Sequence, residues 1–265
     1  MKKRYEEDGR SWDDLDEIIL PERLTALPRE VVNSIYSQTK QIMGRIVDYK
    51  EYRMIYACAI KEIKTKLEIL NTEFSLQYYR NPINYIQTRL KSTASIVEKL
   101  ATKNAPVNID SMEENIHDIA GVRVVCSYID DVFLISDALL KQDDITLISK
   151  KDYITTPKEN GYRSLHLVVK VPVFFSERRI EVEVEIQIRT IAMDFWASLE
   201  HQLKYKNGVP GREELVDKLC KCAETINQID TEMMGIRAKM EMTTNTPSEE
   251  EILLERIKKL DIPIE

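Results

Sequence analysis

No stretch of this 265-residue chain approaches the roughly 20 consecutive apolar residues that a membrane-spanning helix needs. Its amino terminus carries no signal-peptide pattern, because the apolar run Ile18–Leu20 is short and follows the acidic stretch "DDLDE". A cytoplasmic protein without a membrane partner is therefore expected. Cysteine is scarce too. Of the four, only Cys220 and Cys222 are close, and their single-residue separation fits neither a disulfide framework nor a zinc motif, so reduced thiols are expected. Positive charge is in deficit, with a formal net charge of −7. Broad electrostatic capture of nucleic acid needs a net-basic surface, so no stable nucleic-acid partner is expected, although a local basic pocket is compatible with this balance. Histidine is rarer still. His117 precedes Asp118, a pairing found in metal-dependent phosphohydrolases, but neither His166 nor His201 has an Asp neighbour to complete such a site. There is no internal repeat and no low-complexity tract.

A hydrophobic content of 43% is enough for one substantial core, hence one main domain with helical additions. Residues 1–30 mix charges with Pro21 and Pro28 and predict a poorly ordered extension. Residues 31–242 form the body, and 243–265 an acidic tail with a short helix. Over 31–70, Ile35, Ile42, Ile46, Ile55, Ala59, Ile63, Leu67 and Leu70 recur at three- and four-residue intervals interrupted near Asp48, predicting two helices. "INYIQTRLK" reads as extended chain leading into a helix "STASIVEKLATK" capped by Ser92, so that Arg89 and Lys91 share a face near the helix's positive end. Strand, helix and strand follow in "IAGVRVVC", "DDVFLISDALLK" and "ITLISKKDYI", then two strands joined by a short, antiparallel link. Helical composition returns from Thr190 to Met242, broken by "NGVPG".

Three segments carry candidate chemistry. In "RIEVEVEIQIRT", Val182, Val184, Ile186 and Ile188 fall on one strand face and Glu181, Glu183, Glu185, Gln187 and Arg189 on the other. A solvated polar face explains that alternation as well as an active site does. Asp118 precedes the strand that holds the single base Arg123, where a carboxylate can bind magnesium or simply cap a turn. "KKDYITTPKENGYRSLH" sets Lys150, Lys151, Lys158 and Arg163 around a turn beside Tyr162 and His166, a pattern suited to phosphates and a stacked base, or to an ordinary exposed loop.

Together, "RLKSTASIVEKL", "HDIAGVRVVC", "KKDYITTPKENGYRSLH" and "VEIQIRTIAMDFWASLEHQLKYK" resemble the synthetase domain of the RelA/SpoT family, over about Ile55 to Met240. With room for neither a hydrolase nor regulatory domains, the chain is similar to the small, synthetase-only members of the RelQ type. The resemblance implies an α+β fold, a nucleotidyltransferase-like mixed β-sheet flanked by helices, with extra terminal helices. It implies a GTP pyrophosphokinase that makes (p)ppGpp for the stringent response by moving pyrophosphate from ATP to the 3′-hydroxyl of GTP or GDP, using Mg2+. Arg89 and Arg123 would sandwich adenine, and Lys91, Ser95 and Lys99 would hold the ATP phosphates. Asp118 would bind magnesium, with Glu200 as a second contact. Tyr162 would stack on guanine, Lys151, Lys158 and His166 would lie near acceptor phosphates or ribose, and Asp194 near the guanine edge. Glu185, supported by Gln187, would deprotonate the 3′-hydroxyl.

Asp194 and His201, seven residues apart, share a helix stripe. The chain departs from RelQ-type sequences at Ala101 and Thr102, where adjacent arginines are common, so one ATP-phosphate contact is expected to be missing or replaced by Lys103; it also departs around Glu68, Asn84, Gln87 and Thr88, so product activation is not carried over. Tetramers of RelQ-type enzymes form through terminal helices, which implies a homotetramer here. The competing readings are the same transfer onto an RNA 3′ end, which would call for an extra basic surface, and a non-catalytic nucleotide-binding module, which would not need both Asp118 and Glu185.

Overall fold

The computed structural model describes residues 29–78, 80–204 and 212–243, together with Leu253 and Ile257. The chain divides into two units, residues 1–51 and 52–265. In the first, the described residues are the opening turns of helix α1, Arg29–Tyr78. The extension expected over 1–30 lies outside the described residues except for Arg29 and Glu30, which begin α1. The "NGVPG" break lies outside them as well. Of the tail, only helical Leu253 and Ile257 and the end of the last helix, Thr243, are described.

The expected break near Asp48 does not occur, for α1 runs unbroken through 50 residues. The segment "GRIVDYKE" contains no proline, and its polar residues are acceptable in a helix. Losing the apolar stripe there removes a packing surface without removing a backbone hydrogen bond. Within the second unit, Tyr52, Tyr56, Ala59, Ile63, Leu67, Leu70 and Phe74 are buried on α1 at three- and four-residue spacing.

Five strands build the mixed sheet: β1 (Ile83–Leu90), β2 (Ala120–Cys126), β3 (Thr146–Asp152), β4 (Leu165–Phe174) and β5 (Arg179–Thr190), in the order β1-β2-β5-β4-β3. β2 and β5 are parallel and the other neighbours antiparallel. The tight β4–β5 link is closed by Phe175, whose N–H donates to the Arg178 carbonyl at 2.8 Å. The two faces follow from the period of two. Val122, Val124, Leu165, Leu167, Val169, Val184, Ile186 and Ile188 make the buried face. Helix α4 (Ile129–Leu140) lies on it, burying Val132, Ile135 and Leu139.

Ser92 caps helix α2 (Thr93–Thr102) as expected, its Oγ accepting from the Ser95 N–H at 3.2 Å. Helix α3 (Ile109–Asn115) was not foreseen, since seven residues are too short for a periodic signal. Its sequence mark is the cap Asn108, whose Oδ1 accepts from the Ser111 N–H at 2.8 Å. Helices α5 (Ile191–Lys204) and α6 (Arg212–Thr243) follow, joined where Trp196 Nε1 donates to the Leu219 carbonyl at 3.0 Å.

Candidate active site

The face of the sheet opposite α4 is polar, and the register lines its side chains into rows. Gln87 on β1 stands opposite Arg123 on β2, Arg123 beside Gln187 on β5, Gln187 opposite His166 on β4, and His166 opposite Lys151 on β3. One row of five polar side chains thus crosses every strand. The neighbouring row places Arg89, Gly121 and Glu185 side by side.

At one end of these rows, the Lys91 N–H donates to the Ile119 carbonyl at 2.8 Å, which prolongs the β1–β2 ladder and brings the Lys91 side chain within reach of Asp118. Capping by Ser92 then starts α2 so that Lys99, two turns on, reaches the same carboxylate. Lys91 Nζ donates to Asp118 Oδ2 and Lys99 Nζ to Oδ1, both at 2.7 Å. Burial pushes the Asp118 carboxyl up, but the two ammonium groups outweigh it and hold the carboxyl below its ordinary value. His117 turns away, with Nδ1 2.8 Å from Glu183 Oε2, so the two halves of the His-Asp pair have separate partners.

In the centre, Glu185 Oε2 accepts from Gln187 Nε2 at 3.1 Å, while Oε1 lies 3.5 Å from His166 Nδ1. Burial pushes this carboxyl up and Asp118 adds to that, yet His166 and Gln187 prevail and Glu185 stays below the usual glutamate value. The carboxylate is therefore ionised at neutral pH. His166 Nε2 lies 2.7 Å from the Tyr162 hydroxyl, which also accepts from Arg189 at 3.1 Å. Arg189 donates further to Gln187 Oε1 at 2.6 Å and to Asp194 Oδ1 at 3.3 Å. Burial lowers the Arg189 guanidinium from its ordinary range. Lys158 Nζ lies 4.5 Å from the centre of the Tyr153 ring and 4.9 Å from that of Tyr162.

The structure brings most of the named positions together on one face of the sheet. Arg89, Lys91, Lys99, Asp118, Arg123, Lys151, His166, Glu185 and Gln187 share the polar face or its edge, and Ser95 bonds Ser92 Oγ at 2.9 Å in the first turn of α2. Asp194 is nearly buried, taking Tyr85 Oη at 2.6 Å and lying 3.5 Å from Arg123 as well as bonding Arg189. The stripe shared with His201 does not bring both to one place, since Asp194 is buried and His201 exposed. Two of the four bases noted on the β3–β4 segment belong elsewhere: Lys150 faces α4 and lies 3.7 Å from Asp137, and Arg163 pairs with Glu224 at 3.0 Å. Glu200 accepts from Asn160 at 3.3 Å. Among the described residues, no three His, Cys, Asp or Glu side chains gather into a metal cage. A metal held by Asp118 would take its remaining ligands largely from substrate, which suits magnesium.

One contributor, Tyr85, escaped the sequence reading, and so did the links of another, Arg189. Tyr85 shares the β1 face of Gln87 and Arg89, so the period of two already carried its position. Burial first, then the Asp194 carboxylate, pushes its hydroxyl up to about 12. Arg189 was visible on the polar face of β5, but its links to Tyr162, Gln187 and Asp194 depend on the fold.

Known proteins are similar to this chain over most of its length. The profile described as "Region found in RelA / SpoT proteins" matches residues 88–209. The GTP pyrophosphokinase YwaC of Bacillus subtilis is 44% identical over 196 residues, covering 73% of this chain and 92% of that protein. Small alarmone synthetase 2 of Bacillus subtilis superposes with a TM-score of 0.65 at 44% identity, covering 72% of this chain and 99% of that one. Small alarmone synthetase 1 of the same organism, bound to its product pppGpp, gives a TM-score of 0.66 at 36% identity over 72% of this chain and 97% of that one. The chain thus belongs to the RelA/SpoT family, among its small alarmone synthetases.

Proposed function

We propose that this protein is a (p)ppGpp synthetase, a GTP pyrophosphokinase that transfers pyrophosphate from ATP to the 3′-hydroxyl of GTP or GDP and releases AMP. The observation that carries this reading is the pair of ionised carboxylates, Asp118 and Glu185, on one sheet face, with two lysines at one end and a Tyr-His-Arg cluster at the other. The relative that holds pppGpp supports the product class.

The 3′-oxygen attacks the β-phosphorus, the bond from that phosphorus to the bridging α–β oxygen breaks, and AMP leaves on that oxygen. Glu185 accepts the hydroxyl proton, with Gln187 and His166 fixing its orientation. Because its carboxyl is held below the usual range, its main contribution is a correctly placed, ionised acceptor rather than strong basicity. Tyr162 supplies a face for guanine. Lys158, which lies over that ring, yields the face and turns with Lys151 to the acceptor phosphates. Asp194, beyond Arg189, meets the polar edge of the base.

On the donor side Arg89 and Arg123 enclose adenine. Lys91 and Lys99 exchange part of their contact with Asp118 for the triphosphate, and Ser95 adds a hydrogen bond at the helix N-terminus. Magnesium would be held by Asp118 and substrate phosphates and would offset charge on the transferred group. The contact between Glu200 and Asn160 leaves Glu200 the weaker metal candidate.

Among the described residues, no helix is long and apolar enough to cross a membrane, in keeping with a cytoplasmic enzyme. Ile229, Met233, Ile236 and Met240 form an exposed apolar stripe on α6, which supports assembly through this helix into a homotetramer. Light scattering at micromolar concentration checks that, a monomer mass near 30.9 kDa counting against it. For the activity, labelled ATP and magnesium are incubated with GTP, GDP or GMP. AMP and a doubly phosphorylated guanine nucleotide are expected, and AMP with none of the three would overturn the reading.

A further inference from the structure

Helix α6 takes no part in the chemistry described above, yet one stripe of it is built against the loop that carries Tyr162. Leu219, Cys220, Ala223, Ile226, Asn227 and Asp230 recur at three- and four-residue spacing and are its shielded positions in this region. Leu219 and Asp230 meet Trp196 and Thr190, whereas Cys220 and Ala223, with Glu224 beside them, meet the loop 159–163. Gly161 has a φ of +84°, a conformation that favours glycine, and a Cβ placed there would come within 2.5 Å of the Ala223 Cβ. Cys220 Sγ lies 3.4 Å from the Glu159 carbonyl, and Arg163 donates to Glu224 at 3.0 Å. A gap of only about 10 Å³ remains where Gly161 and Arg163 meet Ala223 and Asn227, with Met193 and Trp196 of α5 also lining it.

The loop in turn leads to the catalytic centre through a short series of contacts. Its backbone is turned by the Gly161 N–H donating to the Lys158 carbonyl at 2.8 Å and the Tyr162 N–H donating to Asn160 Oδ1 at 3.2 Å. Tyr162 then meets His166, and His166 meets Glu185. The same helix reaches the other side of the site through Asp230, whose Oδ2 accepts from Thr190 Oγ1 at 2.5 Å. That Thr190 oxygen accepts from the Met193 N–H at 3.1 Å, in the opening turn of α5 that also carries Asp194. None of these contacts touches Arg89, Lys91, Lys99 or Asp118; Arg123 lies 3.5 Å from Asp194, at the end of the Asp230 series and apart from the Glu224 contact.

We infer that the Cys220–Ala223–Glu224 face of α6 is a positioning surface for the acceptor nucleotide: it sets the height and tilt of Tyr162, and thereby the KM for the guanine substrate, without contributing to ATP binding. Glu224 and Ala223 are its positioning residues, and the inference rests on the proposal that Tyr162 receives guanine. A helix that merely stabilises the domain would weaken both substrates alike. A helix that seats one loop acts on one substrate only.

The test uses the full-length protein. Wild type is first assayed for AMP formation, and absence of product there would count against the proposed activity and not against this inference. Glu224→Gln removes the charge of a largely exposed side chain and leaves the packing intact, so the fold should be retained. It is expected to raise the KM for GDP roughly three- to fivefold, the size of a partly exposed ion pair. The KM for ATP and kcat should stay within about twofold, and Glu224→Asp should recover part of the loss. Ala223→Val should act in the same direction more strongly. An unchanged KM for GDP, or equal rises for GDP and ATP, would overturn the inference. Amide hydrogen exchange on the wild type gives a reading that needs no variant. GDP should slow exchange at 159–163 and 220–224 together, and protection of the loop with no response in α6 would also overturn it.

Discussion

The two ends of the polar face are constructed in different ways. At the donor end, Asp118 and its two lysines come from a strand end, the following helix and the entry to the neighbouring strand, all within residues 91–118, and each contact is a single ammonium–carboxylate bond. At the acceptor end, Tyr162, His166, Arg189, Gln187 and Asp194 bond one another in a continuous network, and the loop beneath them is braced by a helix some 60 residues further along the chain. Single flexible lysines can exchange a carboxylate for a phosphate at little cost. A shared network holds its geometry before substrate arrives. The donor lysines are therefore built to rearrange, and the acceptor network, Lys158 outside it, to stay put.

Substitutions can test this contrast. The largest effect is expected at Glu185, which lies between the two ends. Glu185→Gln should lower kcat by ~10²–10⁴, the usual contribution of general base catalysis, with both KM values changing far less. A defect confined to KM would make Glu185 a binding residue only. Next comes Asp118→Asn, which removes the charge that pairs with Lys91 and Lys99. Turnover should fall by ~10²-fold if the carboxylate holds magnesium, and extra magnesium should restore part of it. Near-normal activity at limiting magnesium would remove that role. Tyr162→Ala should raise the KM for GDP on the order of 10-fold, the worth of one base–aromatic stack, and leave the KM for ATP nearly unchanged. Equal effects on both substrates would erase the distinction between the two ends.

The smallest effect is in the pH profile. Burial raises the Glu185 carboxyl and His166 is the main influence opposing it, with Gln187 assisting. Since the net shift is downward, Glu185 should stay ionised until the pH falls below the usual glutamate range, and the acid limb of kcat/KM should lie there. His166→Ala leaves burial less opposed, so the limb should move to higher pH. A limb that does not move would show that His166 does not govern this carboxylate. The same signs apply to stability. The contributions of Asp118 and Glu185 are present above their unfolded-state values and are lost as the pH falls through their lower folded values.

Much of the donor end could be read from the order of residues because it is local. Ser92 announces the start of α2, and the period of two places Arg89 and Lys91 on one face. The remaining step, Lys99 reaching back to Asp118, spans only one helix and one strand edge. The acceptor end was legible as a list without its connections. Lys150, Lys151, Lys158 and Arg163 look equivalent in the sequence, yet pleat and register send Lys150 to α4, and packing sends Arg163 to Glu224. The misplaced break in α1 has a related cause. An interrupted apolar stripe reports where a helix lacks a neighbour, which is different from where its hydrogen bonds stop.

What the sequence by itself determined was the identity of each face: alternation along β5 separates Val184 and Ile186 from Glu185 and Gln187 whatever the neighbouring strands are. The family membership was likewise legible, because its segments keep their order along the chain. Only the tertiary structure decided which groups meet. The order β1-β2-β5-β4-β3 brings Arg123 beside Gln187 and Gln187 opposite His166, contacts between residues 21 to 64 positions apart. Glu224 reaches Arg163 from 61 positions away. The physical reason is that strand periodicity is a property of one segment's backbone, whereas register and helix docking are chosen by the burial of many side chains at once, and no single segment carries that information.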